Sequence, residues 1–550
     1  MLTLATILDN PGEPAQETRY RRLDELRNLG YTGLVIYPTT ALSGLLGSDT
    51  LPAGDMRRWV ADQYDAIDKQ IRAARAAGLT AWLLYDAPSL ARELVGSAMT
   101  CVRDTRTLCP GSPELLDMIG QCVESFVARF ADIEGIVLRL GDNDAKRTPY
   151  LAGNDIYTPH CARCSSLGRA DRLVRFITFF HDLVVGKLRR KLIARAWNVR
   201  PGGMHDSPEL CRRVIERLPL DNDNLILSFK FTQTDFWRFQ QWNPSSLACG
   251  NRPIIYELQC QREFEGKGAV PNYQPPLWRD GLPEMDNSIG LAQAADKVNL
   301  AGLWAWVRGG GWGGPFISEE TWIDANVYAV PQLAAKPSIN LDDLARRWID
   351  TRLDCRDPAA AAALHTTLTH SSRNILELFY IGPYARSRPD SWYPSGNFLQ
   401  DDLIDADAAW AMIQRLPDAA LDEVVAEKAR AVERIAHDRL AIQQSAPHLV
   451  TPSGETLVHE MEYFESLAET LHHLLAGMVA FRRHQRKPDA ATSGGTTSGA
   501  GGRAALEALN RCQSCWNHHQ RYANFRGTAT AFRSDNLWDF TQKLIDQLHK

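Results

Sequence analysis

Residues 224–235, NLILSFKFTQTD, and residues 252–263, RPIIYELQCQRE, decide the prediction of the fold. Each stretch begins as an apolar run and finishes in a carboxylate, which is Asp235 in the first and Glu263 in the second. Continuous apolar runs are typical of parallel strands that are covered on both faces. We predict that both strands end in these acids on the same rim of one sheet, where paired carboxylates can activate water or cleave a glycosidic bond.

Six further apolar runs extend this pattern on both sides of the opening stretches. They lie at residues 2–9, 33–38, 79–86, 135–142, 191–199 and 302–310, and amphipathic helices alternate with them. Eight strands that alternate with helices over residues 1–338 predict a (β/α)8 barrel. An open doubly wound sheet is the second possibility, but no Gly-rich dinucleotide fingerprint follows the first strand.

Helical spacing replaces the alternating pattern after about residue 340. Segments such as LDEVVAEKARAVERIAHDRLAIQQ (421–444) are amphipathic, and none of the segments in this part of the chain reads as a strand. We therefore predict an all-α C-terminal domain over residues 339–550. The run SGGTTSGAGG (493–502) reads as a loop between two helices, because helical sequence resumes directly after it.

Composition and charge exclude several classes of protein. Hydrophobic residues make up 44% of the chain and the net charge is −5, which predicts a folded core and argues against nucleic acid as the main partner. No run approaches the roughly 18 apolar residues of a membrane span. The start, MLTLATILDNPGEP, has no charged and apolar regions typical of a signal peptide. We expect a cytoplasmic protein that binds neither nucleic acid nor a membrane.

Polar side chains interrupt the predicted strands near their carboxyl ends, where barrel enzymes carry their catalytic residues. They are Arg139, Asp142, Arg195, Trp197, Lys230, Asp235, Glu257, Glu263 and Trp306. Any one of them could be a salt bridge at the rim. Together they suit an anionic sugar, because Arg and Lys bind a carboxylate, Trp stacks on a sugar ring and the acids can cleave.

The two opening stretches resemble the catalytic region of glycoside hydrolase family 67, the α-glucuronidases. Lys230 precedes Asp235 by five residues, as in that family. Glu257, Gln259 and Glu263 match the family's E-x-Q-x-x-x-E segment on the next strand. The resemblance supports both acids as candidate catalytic residues.

Two flanking segments extend the resemblance over residues 130–350. Upstream, IARAWNV (193–199) places Arg195 where the family holds the uronate carboxylate. Downstream, DANVYAVPQLAAKPSINLDDLARRWI (324–349) is similar to the family's segment after the last strand. Because the sequence reaches the first strand directly, we expect a divergent relative that lacks the family's N-terminal β-sandwich domain.

The resemblance implies an inverting exo-α-glucuronidase that releases glucuronic or 4-O-methylglucuronic acid from oligosaccharides. Asp235 and Glu263 would activate a water molecule, and Arg195 and Lys230 would bind the uronate carboxylate. The proton donor would be Asp142 or Asp144 in GDNDA (141–145), where the family carries Glu. The remaining predicted sugar-binding residues are Arg139, Trp197, Glu257 and Trp306. A homodimer through the C-terminal helical domain is a further expectation.

Two other functions remain open. The same scaffold could carry an α-glycosidase with a different sugar specificity. The exchange of Glu for Asp at the proton-donor position also leaves open a non-catalytic carbohydrate-binding protein.

The eleven cysteines are an odd number scattered over the chain, which favours reduced thiols. Cys161-x-x-Cys164, preceded by His160, could be half of a zinc site, and so could Cys512-x-x-Cys515. Neither pair has a complete set of four ligands nearby in sequence. We expect unpaired thiols, no bound metal and no cofactor. The run RGGGWGG (308–314) reads as a rim loop and not as a phosphate-binding loop.

Overall fold

Eight parallel strands close into a barrel in the computed structural model of this protein. The model describes residues 1–9, 14–15, 17–37, 53–101, 106–143, 145, 148–286, 288–309, 319–388, 396–400, 403–450, 452–486, 500–522 and 535–550. The barrel strands are β1 (Leu2–Ile7), β2 (Gly33–Ile36), β3 (Thr80–Asp86), β5 (Gly135–Gly141), β7 (Lys191–Asn198), β8 (Leu225–Lys230), β9 (Pro253–Gln259) and β10 (Asn299–Arg308). Leu4 of β1 lies opposite Trp304 of β10, which closes the barrel and confirms the predicted fold.

Helices connect the strands on the outside of the barrel. They are α1 (Leu23–Leu29), α2 (Asp55–Ala76), α3 (Pro113–Arg129), α4 (Ala162–Ser165), α5 (Arg169–Phe180, continued by a π-helical segment His181–Lys187), α6 (Pro208–Ile215), α7 (Pro275–Asp280), α8 (Leu291–Ala294) and α9 (Thr321–Ala335). Two of them begin with the same Ser-Pro-Glu sequence. The hydroxyl of Ser112 accepts from the backbone N–H of Leu115, and that of Ser207 accepts from the backbone N–H of Leu210, so both serines cap their helices.

Both opening stretches leave the sheet earlier than the sequence predicts. β8 ends at Lys230 and β9 ends at Gln259, so Asp235 and Glu263 lie in the loops that follow and do not end the strands themselves. After β8 the chain turns back, because Thr232 forms an antiparallel bridge with Trp242 and its hydroxyl donates to the carbonyl of Thr234. The acids still follow the carboxyl ends of neighbouring strands.

Three smaller differences from the prediction concern short elements. The helical spacing of residues 288–300 predicts a longer helix, but only the single turn α8 forms, because β10 already begins at Asn299. A two-stranded ribbon, β4 (Ser89–Ala91) and β6 (Leu151–Gly153), joins the loops after β3 and β5. A second ribbon, β11 (Leu399–Gln400) and β12 (Leu403–Ile404), lies in the region where no strand was predicted.

The C-terminal region is otherwise helical. Its helices are α10 (Leu341–Leu353), α11 (Pro358–Phe379), α12 (Gly382–Arg386), α13 (Ala406–Arg415), α14 (Leu421–Ser445), α15 (Gly454–Arg486), α16 (Ala500–His519) and α17 (Asp535–Leu548). Residues 493–499 of the predicted loop lie outside the described residues. None of the helices described is long and apolar enough to cross a membrane. The homodimer through this region and the cytoplasmic location stay predictions.

Buried hydrogen bonds cross the predicted domain boundary at residues 338 and 339. The indole N–H of Trp348 donates to Asp324 at 2.8 Å, and the backbone N–H of Tyr273 donates to the hydroxyl of Ser371 at 2.9 Å. The phenol of Tyr380 donates to Glu265 at 2.9 Å. The helical region therefore supports the loops that follow the barrel strands.

A buried histidine in the helical region predicts a pH-dependent stability. His519 of α16 packs against Tyr463 and shares a 2.7 Å hydrogen bond with Ser466. Burial lowers the pKa of His519 from 6.5 to about 3. Protonation therefore favours the unfolded chain, and stability that is complete above about pH 6.5 is lost as the pH falls. Between pH 7 and pH 5 this group alone should remove about 2 kcal/mol, measured by urea unfolding.

The variant His519→Gln tests that linkage. It should make the loss of stability between pH 7 and pH 5 smaller than in the wild type, because Gln does not titrate in this range. His437→Gln is the matched control, since the His437 side chain is 72% exposed. An unchanged pH slope in His519→Gln would contradict the buried neutral imidazole.

Candidate active site

A buried ion pair joins Arg139 of β5 to Asp86 of β3 at the carboxyl end of the barrel. Arg139 Nε and Nη2 donate to the two Asp86 oxygens at 2.5 and 2.7 Å, and Nη1 donates to the hydroxyl of Tyr37 at 2.7 Å. Burial alone would lower the pKa of Arg139, but the Asp86 carboxylate outweighs it and raises the pKa well above its usual value. Arg139 is therefore a fixed positive charge, and most of its donors are already used.

A second buried ion pair joins Arg195 of β7 to Glu257 of β9. Nε lies 2.8 and 3.0 Å from the two Glu257 oxygens, Nη2 donates at 2.8 Å, and the Ser228 hydroxyl donates to Glu257 at 2.7 Å. Both side chains were predicted to bind substrate, and the structure pairs them with each other. Arg195 Nη1 takes no part in this contact and faces the rim.

Asp142 lies between the two arginines, just after β5. Its Oδ2 is 3.7 Å from Arg139 Nη1 and 3.8 Å from Arg195 Nη1, and the side chain is 28% exposed. Two nearby guanidinium groups favour the charged form of a carboxyl group. The alternative proton donor, Asp144, lies outside the described residues.

Lys230 and Asp235 form a third ion pair after β8. Lys230 is buried, whereas the Asp235 side chain is 27% exposed. The Lys230 ammonium lies 4.0 Å from the ring centre of Trp197, 4.4 Å from that of Phe236 and 5.0 Å from that of Trp306. A lysine so enclosed by aromatic rings can hold one oxygen of Asp235 and leave the other toward solvent.

Glu263 lies beside Gln259 in the loop after β9. The backbone N–H of Glu263 donates to Gln259 Oε1 at 3.3 Å, and Glu263 is 7% exposed. Gln259 Nε2 is buried and has no hydrogen-bond partner within the part of the chain that the structure describes. A buried donor without a partner is costly, which points to a water molecule or ligand at this place.

The tryptophans connect these groups into one site. Trp306 lies 5.1 Å from the guanidinium of Arg195 and 5.0 Å from the ammonium of Lys230, so it bridges the Asp142 side and the Asp235 side. The sequence-predicted residues therefore converge on one rim. The loop at 310–318, which includes Trp312, lies outside the described residues.

Sequence reasoning missed Glu265, a fully buried carboxylate two residues after Glu263. It accepts from Arg238 Nε at 2.7 Å and from Arg262 Nε at 3.2 Å. Asn272 and Tyr380 also donate to Glu265, at 2.8 and 2.9 Å. Burial alone would raise the pKa of Glu265, but the two guanidinium groups outweigh it and hold the pKa well below its usual range. The segment REFEG, with two glutamates beside an arginine, was the available signal.

The Glu265 network holds both loops that carry the candidate catalytic acids. Arg262 Nη2 donates to the backbone carbonyl of Phe236, the residue that follows Asp235. Arg262 itself directly precedes Glu263. This contact fixes the Asp235 loop against the Glu263 loop.

His205 is a second residue that the sequence did not single out. Its ring meets that of Trp197 edge-on at 5.0 Å, and Nε2 lies 3.0 Å from the carbonyl of Thr232. Burial, and then the charge of Lys230, lowers the pKa of His205 well below its usual value. A neutral His205 therefore positions Trp197 against Lys230.

One cluster of potential metal ligands occurs among the described residues. It does not include any residue of the three ion pairs at the rim. It consists of Cys101, Cys109, Cys161 and Cys164 in the loops after β3 and β5. The C-x-x-C half was recognised in the sequence, but its two partners are more than fifty residues away along the chain.

No family model matches the chain. Part of the sequence is similar to a protein from Aspergillus fumigatus described as a probable alpha-glucuronidase A, with 27% identity over 148 residues. The match covers 24% of this chain and 17% of that protein. A Neosartorya fischeri protein with the same description matches with the same identity and coverage. The chain thus covers less than a fifth of the length of the curated relatives it matches.

A solved structure shares the fold over the whole chain. It is described as a GH138 enzyme targeting pectin rhamnogalacturonan II, and it superposes with a TM-score of 0.58. The alignment covers 100% of this chain and 83% of that protein, with 13% sequence identity. At this identity the likeness shows the fold alone.

Proposed function

We propose that this protein is a glycoside hydrolase that removes a uronic acid from an oligosaccharide. The observation that carries the proposal is the ion pair of Lys230 and Asp235, in which a half-buried carboxylate is held by an ammonium group that contacts Trp197 and Trp306. Indole rings wall sugar sites, and a fixed carboxylate beside them can activate water. The partial sequence match to proteins described as alpha-glucuronidases supports a uronic acid as the sugar.

Asp235 and Glu263 act on the nucleophilic water in this proposal. Lys230 forms an ion pair with Asp235, which fixes the position of the carboxylate beside the water. Glu263 lies on the adjoining loop, fixed through the contact of Arg262 with Phe236. The two acids orient the water and remove its proton as it attacks the anomeric carbon.

Asp142 protonates the departing oxygen from the other side of the sugar. β5 and β8 are separated by β7, so their positions in the barrel lie about 10 Å apart. An inverting pair needs roughly 6.5–9.5 Å between its carboxyl groups, which leaves room for the water. Asp142 and Asp235 themselves lie in the loops after β5 and β8, and in this proposal they act from opposite sides of the sugar, which gives inversion of configuration.

In this proposal Asp142 takes its proton from the solvent, and substrate binding makes that uptake favourable. The guanidinium groups of Arg139 and Arg195 favour the ionised form of Asp142 as long as the sugar is absent. A uronate carboxylate bound at Arg195 Nη1 would neutralise part of that charge and repel the Asp142 carboxylate. Asp142 would then take up a proton as the substrate binds.

Activity profiling on oligosaccharides that carry different uronic acids tests this function. We expect release of the uronic acid from at least one of them, with inverted configuration in the first product seen by NMR. Retention would contradict the water-activating role of Asp235 and Glu263. Binding of these sugars without any hydrolysis would favour a carbohydrate-binding protein.

An α-glycosidase for a neutral sugar is the second candidate. It is favoured by the three ion pairs at the rim, in which Arg139, Arg195 and Lys230 each already have a carboxylate partner. The carboxylate of a uronic acid would therefore have to bind a cation that already has a protein carboxylate as its partner. A neutral sugar needs no such cation.

The variant Arg195→Lys distinguishes the two candidates. Lysine keeps a positive charge beside Glu257 but loses the Nη1 donors that face the rim. For uronic acid substrates we expect kcat/KM to fall by about 10–100-fold, the value of a hydrogen bond to a charged group, and little change for neutral aryl glycosides. Arg212→Lys, at an exposed position on α6, is the control. An equal loss on both substrates would contradict carboxylate recognition by Arg195.

A further inference from the structure

Four cysteine thiols from two loops come together beside the barrel. Cys101 and Cys109 lie between β3 and α3, and Cys161 and Cys164 lie between β5 and α5. All four sulfur atoms lie within 4.8 Å of one another. Three of the sulfur pairs are separated by 3.5 Å (Cys109 to Cys161), 3.6 Å (Cys161 to Cys164) and 3.8 Å (Cys101 to Cys164).

We propose that these four cysteines bind one zinc ion, which fastens the two loops to each other. Structural zinc is held by four thiolates at the corners of a tetrahedron, with Zn–S distances of about 2.3 Å. The edge of a tetrahedron is about 1.63 times the distance from centre to corner, so the sulfurs around one zinc lie about 3.8 Å apart. Three of the six separations are 3.5–3.8 Å and all four sulfurs lie within 4.8 Å of one another, which fits one ion at the centre of the cluster.

Two backbone N–H groups are directed at the sulfur of Cys164. The N–H groups of His160 and Cys161 both point at Cys164 Sγ, with N to S distances of 3.1 and 3.3 Å. Donors directed at a sulfur stabilise its deprotonated form, which is the form that binds a metal. The turn around α4 therefore presents Cys161 and Cys164 as ligands.

Two arginines offset the charge of the occupied site. Four thiolates and one Zn²⁺ carry a net charge of −2, and four protons are released on binding. Arg163 lies in hydrogen-bond contact with Cys109, and its guanidinium also donates to the carbonyl of Ala98 at 2.6 Å. Arg172 is buried and donates to the carbonyl of Cys164 at 3.0 Å. Cations placed this close to a cluster of thiols fit a negatively charged metal site.

The proposed zinc site would cross-link two long loops, the one after β3 and the one after β5. Each loop is longer than the typical connection of about 2–6 residues in an α/β unit and contains only short elements such as β4, β6 and α4. The loops are already joined by the β4–β6 ribbon and by Asn154, whose amide donates to the carbonyl of Leu108 at 2.9 Å. At their base, Asn143 donates to the carbonyl of Pro88 at 2.9 Å, directly beside Asp142. The zinc ion would therefore fix the position of the part of the Asp142 loop that contains Cys161 and Cys164.

Metal analysis of the purified, dialysed protein tests the proposal, and it does not depend on the proposed function. We expect about one zinc per chain in the wild type, and loss of that zinc in Cys101→Ser and Cys164→Ser. Cys211→Ser is the matched control, because Cys211 is buried with its sulfur 3.5 Å from that of Cys249 but lies outside the cluster. The control should keep its zinc.

A second measurement on the wild type avoids variants that fail to fold. Replacement of zinc by Co²⁺ should give the intense visible absorption of tetrahedral cobalt bound by thiolates. Alkylation followed by mass spectrometry should find these four thiols protected until a strong chelator is added. Wild-type protein without metal, with iron in place of zinc, or with disulfides among the four cysteines would overturn the proposal, as would unchanged zinc in both variants.

Discussion

Replacing Asp235 with Asn is expected to lower kcat on the uronic acid substrate by about 10²–10⁴-fold, the usual contribution of a positioned general base. Glu263→Gln should have an effect of similar size, because both acids act on the same water molecule in the proposed mechanism. Neither change alters the volume of the side chain appreciably. Binding of the sugar product should persist in both variants, measured by isothermal titration calorimetry.

Controls for these variants come from carboxylates away from the rim. Asp223→Asn and Glu209→Gln change exposed side chains, before β8 and in α6, and should leave kcat unchanged. The combination of Asp235→Asn with Glu263→Gln should cost little more than either change alone, since groups that act as a unit are not additive. Full activity in Asp235→Asn would remove Asp235 from the mechanism.

The barrel was predictable because its information is local. Each strand is a short apolar run, and two of the helices carry their own start signal, at Ser112 and Ser207. Strand ends were less predictable. FTQTD continues the β-like composition of β8, but the bridge from Thr232 to Trp242 turns this segment out of the sheet. Tertiary contacts therefore determine where the strands end, and the composition of the segment does not reveal these contacts.

The residues of the site were predictable from the sequence, but their pairing was not. Asp86, Arg139, Arg195 and Ser228 lie in register on four neighbouring strands, so two arginines stand side by side at one level of the barrel. Each arginine needs an anion in such a buried place. Asp86 and Glu257 supply it from other strands, 53 and 62 residues away in sequence.

For the cysteine cluster, too, the sequence reveals the individual residues but not which of them come together. Cys161-x-x-Cys164 is a local pattern, and the sequence displays it directly. Its proposed partners belong to the loop after the preceding barrel strand, and Cys109 lies 52 residues before Cys161. The parallel fold brings these loops side by side, because β3 and β5 are hydrogen-bonded neighbours. Only the strand order could complete the set of ligands.

The variant Glu265→Gln is expected to lower the free energy of unfolding by about 3–5 kcal/mol at pH 7, because it leaves the buried guanidinium groups of Arg238 and Arg262 without a counter-charge. Chemical denaturation measures the loss. The folded protein holds the pKa of Glu265 below 4.5, so this stabilisation is complete above about pH 4.5 and is lost as the pH falls. Wild-type stability should therefore fall more steeply than that of the variant in acid.

The same variant should also lower kcat, although Glu265 touches neither water nor sugar in the proposed mechanism. Arg262 fixes the Glu263 loop to the carbonyl of Phe236, and a guanidinium released from Glu265 would lose that position. Glu284→Gln, at an exposed position, is the control and should change neither quantity. Adding Arg262→Met to Glu265→Gln should recover stability but not kcat, because it removes one unpaired charge together with the contact between the loops. Recovery of both would show that the network stabilises the fold without positioning the two acids.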